Sequence, residues 1–199
     1  SQPPIAAYIK TFTELTQAGH QVLCLSISSR LSGTYANEAV CAREIGGGNI
    51  RVVDTLTTAG GLYILVRAAR ELIDAGCSLE ETASKIEEMR SSVKTLFTVE
   101  DMEPLRRSGR LGPVRQSVCT VLNVRPLLTC REGAVVCCGM VRGHNEQMRA
   151  LDQAVPENAG CIVVQYIRNI NGARQLQHRL ESRLNKTVLL RPIGPVLAI

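Results

Sequence analysis

The sequence predicts an α/β protein of two domains: a parallel, Rossmann-like α/β domain at the N-terminus and a domain of mixed sheet and helices at the C-terminus. In the first half, short β-branched runs alternate with helical stretches, which is typical of parallel strands joined by crossover helices. In the second half, two apolar runs flank a short connection with a glycine, which is typical of an antiparallel hairpin. We place the domains at residues 1–92 and 93–199.

The expected elements of the first domain alternate between helix and strand. Apolar side chains at helical spacing predict an opening helix from Ile5 to Leu15, which follows Pro3 and Pro4 and is closed by Gly19. A strand, a helix, a second strand and a long helix are then expected at residues 22–27, 35–44, 50–54 and 59–75.

A capping signal marks the last helix of this domain. Ser78 is followed three residues later by Glu81, the spacing at which each side chain satisfies a backbone N–H group of the other residue. We therefore expect a helix from Leu79 to about Val93. The composition changes after this helix, which places the domain boundary near residue 92.

The second domain is expected to contain a hairpin between helical segments. Before the hairpin the pattern predicts a strand at 95–99, a short helix at 102–107 and a helix that runs toward Leu122. The hairpin strands are expected at 125–130 and 135–141. The later segments are predicted as helix, strand, helix, strand and a final apolar run at residues 144–154, 161–166, 172–184, 188–190 and 196–199.

Composition argues against several classes of protein. With 199 residues and 45% hydrophobic content, the chain can bury a core of ordinary density. No stretch reaches the roughly 18 apolar residues of a membrane span, and no signal peptide is evident, so we expect a cytoplasmic protein. The net charge of +5 is spread along the chain, and two Phe and four Tyr residues offer few rings for base stacking, so we expect no nucleic acid partner.

The eight cysteines are scattered, without a CxxC pair and without histidines at the spacing of a zinc site. We expect small buried apolar residues in a reducing compartment and no metal. Cys137 and Cys138 are adjacent in a predicted strand, so their side chains point to opposite faces. A disulfide between them is therefore disfavoured, and core positions are expected.

The strongest functional signal is a hydroxyl-rich loop, residues 26–35, between a predicted strand end and a predicted helix start. Ligands of α/β folds bind at this edge, where free helix N–H groups and the macrodipole favour an anionic oxygen. Ser32 and Thr34 add hydroxyl donors, Gly33 allows close approach, and Arg30 can add charge. The spacing alone fits equally a structural loop in which Ser32 is only the helix N-cap.

Several motifs together resemble the DegV family. Residues 27–35, ISSRLSGTY, resemble its ISSxLSGTY signature, and residues 52–55, VVDT, followed by the glycine-led 60–62 resemble its next strand and helix. In the second half the similar segments are LRRSGRLG at 105–112, LNVRPLL at 122–128 and IGPV at 193–196. The resemblance extends over essentially the whole chain.

Both ends depart from the family pattern. Residues 1–3, SQP, resemble a TSQP motif without its threonine, and Ile199 stops where the family continues into a histidine-containing HTGPG segment. We therefore expect a sequence that is truncated at both ends.

The resemblance implies a carrier of the FakB type, which binds one long-chain fatty acid such as palmitate, stearate or oleate in a tunnel between the two domains. The second domain would cover the acyl chain. In the family the SGT serine, the TSQP threonine and the HTGPG histidine hold the carboxylate, and of these only Ser32 is present here. The expected ligand-binding residues are Ser32, Gly33, Thr34, Ser29, Ser1 and Arg110.

The resemblance also implies a protein partner. A FakB-type carrier presents its fatty acid to a separate fatty acid kinase subunit, FakA, which makes an acyl phosphate for phospholipid synthesis. The carrier itself is then no enzyme and needs no cofactor. Arg142 and Arg110 match basic family positions that face the ligand mouth or the kinase. The alternative is that both arginines are ordinary solvated surface residues. Transient membrane contact fits the role of a carrier. The family often has Arg-Thr-Arg-Lys where residues 142–145 read RGHN, so positive charge is lost here.

Two other functions stay open at this point. An enzyme that binds a small phosphorylated ligand or transfers phosphate could use the Ser32 loop, but the chain has neither GxxxxGK[ST] nor GxSxG. His144 has no carboxylate or cysteine at catalytic spacing and is predicted to start a helix. A nucleic-acid-binding regulator would need a helix-turn-helix or a basic stripe, and neither is evident.

Overall fold

The computed structural model describes residues 2–111 and 124–194. The chain divides into two compact units. The first unit extends to Val93 and also includes residues 132–134, and the second holds residues 94–131 and those from Val135 onward. The division into domains at 1–92 and 93–199 stays a prediction, because a compact grouping of residues does not establish that either part folds alone.

The first unit is built on two parallel strands, β1 (Val22–Ser26) and β2 (Ile50–Asp54). Val22 lies opposite Ile50, and Ser26 lies opposite Asp54. The helices of this unit are α1 (Ile5–Gln17), α2 (Thr34–Ile45), α3 (Ala59–Asp74) and α4 (Leu79–Met89). The predicted α/β class and the parallel pairing are confirmed.

The two faces of this sheet are chemically different, because successive side chains of a strand point to opposite sides. Leu23 and Leu25 of β1 lie on one face and pack against the core of the unit. That core consists of residues from β2, α3 and α4: Val53, Leu65, Ala69, Ala83 and Ile86. Cys24 and Ser26 point to the other face.

Helix α4 begins at the predicted capping box, since the Ser78 and Glu81 side chains each accept a hydrogen bond from the other residue's backbone N–H. It ends at Met89, four residues before the predicted end. The Ser91 and Ser92 hydroxyls donate to the carbonyls of Glu88 and Met89, at 3.0 and 2.7 Å, and hydroxyls that bond to nearby backbone in this way favour helix ends.

The second unit contains one antiparallel and one parallel pair of strands among its described residues. Strands β3 (Val124–Arg131) and β4 (Ala134–Arg142) pair across a two-residue connection, which only an antiparallel hairpin allows. Glu132 and Gly133 have φ of 48° and 84°, and two positive values are typical of a tight hairpin turn. The remaining elements are α5 (Glu103–Ser108), α6 (Gly143–Gln153), β5 (Val163–Tyr166), α7 (Ile170–Leu184) and β6 (Leu189–Pro192), with β5 and β6 parallel.

The predicted strand at 95–99 is wrong. Only Phe97 pairs with Leu128, through reciprocal N–H···O bonds of 2.9 and 2.8 Å. On one side of this bridge, side chains replace the ladder: Thr129 Oγ1 donates to the Thr95 carbonyl at 2.7 Å, and Thr95 Oγ1 accepts from the Cys130 N–H at 3.1 Å. The helix predicted toward Leu122 and the apolar run at 196–199 lie outside the described residues.

The prediction that the cysteines are buried holds for Cys41 alone among the seven that the structure describes, all of which are free. Four are partly exposed, namely Cys24, Cys77, Cys130 and Cys137, and Cys138 and Cys161 are exposed. Cys138 lies on the outer side of the two-stranded hairpin, and Cys161 precedes β5 in a connecting segment.

No helix within residues 2–111 or 124–194 has both the length and the apolar character needed to cross a bilayer.

Candidate functional site

The candidate site lies where β1 and β2 end. Because the strands are parallel, the loop at residues 27–33, which leads into α2, and the loop at 55–58, which leads into α3, leave the same edge of the sheet. We name them the first and the second loop. Ligands of open α/β sheets bind outside the carboxyl ends of the strands, so this edge is the expected place for a site.

Asp54, the last residue of β2, ties the two loops together. Its Oδ1 accepts from the backbone N–H groups of Ser29 and Leu56, both at 3.1 Å. The Thr55 hydroxyl donates to the Ser26 carbonyl at 2.7 Å. The backbone N–H of Ser29 is therefore used inside the protein, while Ser29 itself is exposed.

Ser28 anchors the first loop and is fully buried. Its N–H donates to the Thr57 carbonyl at 2.9 Å, and its hydroxyl donates to the Gly133 carbonyl at 2.7 Å and accepts from the Arg30 N–H at 3.2 Å. The Arg30 guanidinium donates to the Glu132 carbonyl at 3.2 Å. Ser28 therefore shapes the loop, and the charge expected from Arg30 is directed to a backbone carbonyl.

Ser32, Gly33 and Thr34 form a half-buried group at the start of α2. The Ser32 and Thr34 hydroxyl oxygens are 2.9 Å apart, and the Thr34 N–H donates to Ser32 Oγ at 3.3 Å. Gly33, not Ser32, occupies the N-cap position, and Gly33 has no side chain that could cap the helix. Ser32 Oγ instead accepts from the first N–H group of α2, that of Thr34, so the alternative of a structural loop stays open. The N-terminus of α2 can also interact with an anion.

Gln2 covers Gly33. A Cβ atom added at Gly33 would lie 2.5 Å from Gln2 Nε2, which is closer than real contacts allow. The Asn37 side-chain amide donates to Gln2 Oε1 at 2.6 Å and holds this arrangement. A side chain at position 33 would therefore displace the flexible end of Gln2. Ser1, the predicted ligand-binding neighbour of Gln2, lies outside the described residues.

The two predicted arginines belong to the second unit. Arg110 is exposed, its N–H donates to Ser108 Oγ at 3.3 Å, and its guanidinium contacts the Ser108 carbonyl. Arg142 is exposed at the N-cap of α6. It lines a shallow depression of about 590 Å³ whose other lining residues are Asn145, Glu146, Arg149 and Arg179. His144 lies in the first turn of α6, as predicted.

Sequence reasoning missed a polar group behind the first loop, on the sheet face of Cys24 and Ser26. Burial raises the pKa of the Glu38 carboxyl, although Ser26 and Cys24 lower it by hydrogen bonding. The pKa of the Cys24 thiol is raised to about 12, mainly by burial and to a lesser extent by the nearby Glu38 carboxyl. Burial also raises the pKa of Tyr8. Two features of the sequence could have revealed this group. Strand alternation places Cys24 and Ser26 on the same face of β1, and Thr34 and Glu38 are spaced one helical turn apart.

The site can offer hydroxyl and amide donors to an anion. Among the described residues, Ser32 Oγ is hydrogen-bonded only to atoms of Thr34, so no histidine or carboxylate contacts it as a general base. No group of three or more His, Cys, Asp or Glu side chains in the described parts of the chain is arranged to hold a metal ion.

Comparison with known proteins identifies close similarity in sequence and fold. A curated DegV domain-containing protein of Deinococcus radiodurans is 35% identical over 155 residues, which cover 78% of this chain and 55% of that protein, so the match spans about half the relative's length. The structure of a fatty acid binding DegV family protein from Streptococcus agalactiae has a TM-score of 0.85 at 25% identity, covering 100% of this chain and 72% of that one. A DegV family protein from Thermus thermophilus, described for its fatty acid binding, has a TM-score of 0.80 at 28% identity, covering 100% and 73%.

The model of the DegV family of uncharacterised proteins matches residues 1–199, the whole length of the chain. The first loop with its SGT residues, the parallel strands that position it and the similarity to these relatives agree with this match. The chain belongs to the DegV family.

Proposed function

We propose that this protein is a carrier that binds one long-chain fatty acid, such as palmitate, stearate or oleate, with the carboxylate at the first loop. The observation that carries the proposal is the Ser32–Thr34 hydroxyl pair at the N-terminus of α2, where no general base of the described residues is hydrogen-bonded to Ser32. Solved DegV proteins of the same fold bind fatty acids, which supports the same ligand class here.

The physical chemistry of the ligand fits such a loop. A carboxylate that leaves water needs several hydrogen-bond donors to offset its desolvation. Ser32, Thr34 and the backbone N–H groups of α2 provide donors, and hydrogen bonds to a charged group are worth about 1.5–3 kcal/mol each. The acyl chain adds about 0.8 kcal/mol for each buried methylene. The head group therefore sets orientation, while the tail supplies most of the affinity.

The complete site is proposed to include more than the first loop. Ser29, Ser1 and Arg110 are assigned to the ligand by the family resemblance, and the acyl chain is assigned to a tunnel between domains 1–92 and 93–199. The matched part of the relatives is shorter than their full length, so the intact protein is the appropriate object for binding experiments.

The proposed partner is a fatty acid kinase subunit that phosphorylates the bound carboxylate for phospholipid synthesis in the cytoplasm. Arg142 and Arg110 are the proposed contact residues. Arg142 shares its depression with Arg149, Arg179 and one carboxylate, Glu146, so positive charge exceeds negative charge at this surface of α6 and α7. Such a surface favours an acidic protein partner and transient contact with anionic lipid. The carrier itself is proposed to have no catalytic activity and no cofactor.

The test is to purify the intact protein, extract it with organic solvent and identify bound lipid by mass spectrometry. Delipidated protein is then titrated with palmitate. We expect Ser32→Ala to weaken palmitate binding about tenfold or more, because it removes a hydrogen bond to a charged group. Ser84→Ala, at an exposed position of α4, is the matched control and is expected to leave the affinity unchanged.

The proposal is wrong if extraction yields no fatty acid and delipidated protein does not bind palmitate. Inorganic phosphate serves as the competing ligand, because a helix N-terminus can also bind phosphate. Tight phosphate binding without palmitate binding, or turnover of ATP or an ester by the protein alone, would favour the phosphotransfer alternative.

A further inference from the structure

The turn that joins β3 to β4 lies against the first loop. We name residues 132–134 the hairpin tip, and all three belong to the first compact unit. The Ser28 hydroxyl donates to the Gly133 carbonyl at 2.7 Å, and the Arg30 guanidinium donates to the Glu132 carbonyl at 3.2 Å. These two bonds join residues that are 105 and 102 positions apart in the sequence. The hairpin tip is therefore a distant segment that the fold brings to the candidate site.

The direction of the hydrogen bonds at Ser28 is fixed by its partners. A carbonyl oxygen only accepts, and a backbone N–H only donates. The Ser28 hydroxyl therefore donates its single hydrogen to Gly133 and accepts from the Arg30 N–H at 3.2 Å. Ser28 is fully buried, which keeps water away from both bonds. The hairpin tip thus holds one side chain of the first loop in a single arrangement.

Ser28 is linked in turn to Ser32. The Ser28 carbonyl accepts from the N–H groups of Leu31 and Ser32, at 3.0 and 3.2 Å. The first loop therefore turns back on Ser28 immediately before the SGT residues. A shift of Ser28 would move the backbone that carries the Ser32 hydroxyl.

Space is limited where the hairpin tip meets the two loops. Gly133 has a φ of 84°, and a Cβ atom there would lie 2.5 Å from Ser28 Oγ and 3.1 Å from Leu56 Cδ2. Leu56 belongs to the second loop and has a positive φ of 51°. Non-glycine residues at positive φ are uncommon and persist where the surrounding contacts hold them. A side chain at position 133 would therefore push the Ser28 hydroxyl away from its acceptor.

We propose that the hairpin tip supports the candidate site, with Ser28 and Gly133 as positioning residues that hold Ser32 in place for the bound carboxylate. This inference rests on the proposed function. A loop that is ordered before the ligand arrives loses less conformational freedom on binding, which increases affinity. Hydrogen-bond donors to a head group must lie within about 0.5 Å of the productive geometry, whereas hydrophobic attraction is non-directional. The support therefore matters more for the carboxylate than for the acyl tail.

The test compares Ser28→Ala and Gly133→Ala with wild type in the intact, delipidated protein, using palmitate and hexadecanol as ligands. Thermal unfolding first establishes that each variant is folded at the temperature of the titration. Each substitution disrupts the bond between Ser28 and Gly133 and is expected to weaken palmitate binding about fivefold to tenfold, within the range for one hydrogen bond. Hexadecanol has the same tail and an uncharged head, so its affinity is expected to change less than about twofold.

Two control variants match these substitutions. Gly76 has a φ of 87°, close to that of Gly133, but an added Cβ would meet nothing within 4 Å, so Gly76→Ala separates backbone strain from contact with the first loop. Thr82→Val removes a buried hydroxyl of α4 that has no hydrogen-bond partner among the described residues. Neither control is expected to change the affinity for palmitate or hexadecanol. A loss in Gly76→Ala as large as that in Gly133→Ala would overturn the inference.

A double variant tests whether both residues act through one contact. Since Ser28 Oγ is the atom nearest to the added Cβ, Gly133→Ala combined with Ser28→Ala should weaken palmitate binding no further than Ser28→Ala alone. Additive losses, equal losses for palmitate and hexadecanol, or an unchanged palmitate affinity in either single variant would overturn the inference. In the last case a clear effect of Ser32→Ala leaves the proposed function standing. Absence of palmitate binding by wild type overturns both.

Discussion

At the scale of single residues, Glu38 has the clearest consequence for stability. Burial raises the pKa of its carboxyl in the folded protein. Below the ordinary glutamate pKa of about 4.3 the folded and unfolded states are both protonated. As the pH rises through the higher folded-state pKa, the protein must either hold a proton that the unfolded chain has released or bury a charge, so stability falls.

We therefore expect Glu38→Gln, which keeps the shape and stays neutral, to gain stability relative to wild type as the pH rises. The difference in Tm between variant and wild type should be larger at pH 8 than at pH 5, as measured by thermal unfolding in matched buffers. Glu87→Gln on the exposed side of α4 is the control for the substitution itself. The same Tm difference for Glu38→Gln at both pH values would contradict the expectation.

The serines of the first loop show what single residues reveal in sequence and what they do not. The SGT motif identified Ser32 and Thr34 as hydroxyl donors, and the structure places these two hydroxyls 2.9 Å apart. The motif could not identify Ser28 as the residue that anchors the loop, because the Ser28 hydroxyl donates to the carbonyl of Gly133, 105 residues further along the chain. Contacts of that range leave no local pattern in the sequence.

At the scale of elements, predictions succeeded where the determinants are local. The strands and helices of the first unit follow from hydrophobic periodicity, and β2 was predicted with its observed ends, Ile50–Asp54. The strand at 95–99 failed because Thr95 and Thr129 satisfy the backbone with side chains, which periodicity does not reveal. The early end of α4 has the same cause in Ser91 and Ser92.

The capping box of α4 allows a direct test at this scale. Ser78 Oγ accepts from the Glu81 N–H at 3.3 Å, and Glu81 Oε2 accepts from the Ser78 N–H at 2.8 Å. We expect Ser78→Ala to lower the free energy of unfolding by about 1 kcal/mol. Chemical denaturation at pH 7 measures this loss, and Ser84→Ala in the middle of the same helix should change stability by less than about 0.5 kcal/mol.

The capping interaction also has a pH dependence of known sign. Hydrogen bonds from Ser78 lower the pKa of Glu81 in the folded protein, and the backbone N–H has the larger effect and the hydroxyl the smaller. The stabilisation is present above the ordinary glutamate pKa and is lost as the pH falls through the lower folded value. The effect of Ser78→Ala should therefore shrink in acid, and an effect that grows below pH 4 would argue against the capping box as its cause.

At the scale of the whole molecule, the alternation of strands and helices correctly predicted the α/β class, and the DegV family model covers residues 1–199. The distribution of exposed and covered thiols was harder to predict, because cysteine is apolar enough for a core and small enough for a surface. Burial depends on which layers cover a strand. Strand β1 has helices on both sides, whereas the outer side of the β3–β4 hairpin leaves Cys138 exposed.

This difference in cover predicts a thiol map of the native protein. The thiolate is the reactive form, so reactivity requires both exposure and an accessible pKa. Cys161 and Cys138 are exposed, whereas Cys41 is buried and burial raises the Cys24 pKa to about 12. Partial burial also raises the pKa of Cys138, so its modification should be slower than that of Cys161.

Pulse labelling with iodoacetamide at pH 7.5, followed by peptide mass spectrometry, should therefore modify Cys161 first and Cys138 next. Cys24 and Cys41 should react only after denaturant unfolds the first unit. Cys161→Ser should remove the fastest phase and leave the order of the others unchanged. Labelling of Cys24 as fast as Cys161 without denaturant would mean that the α1–β1–α2 layer opens readily in solution.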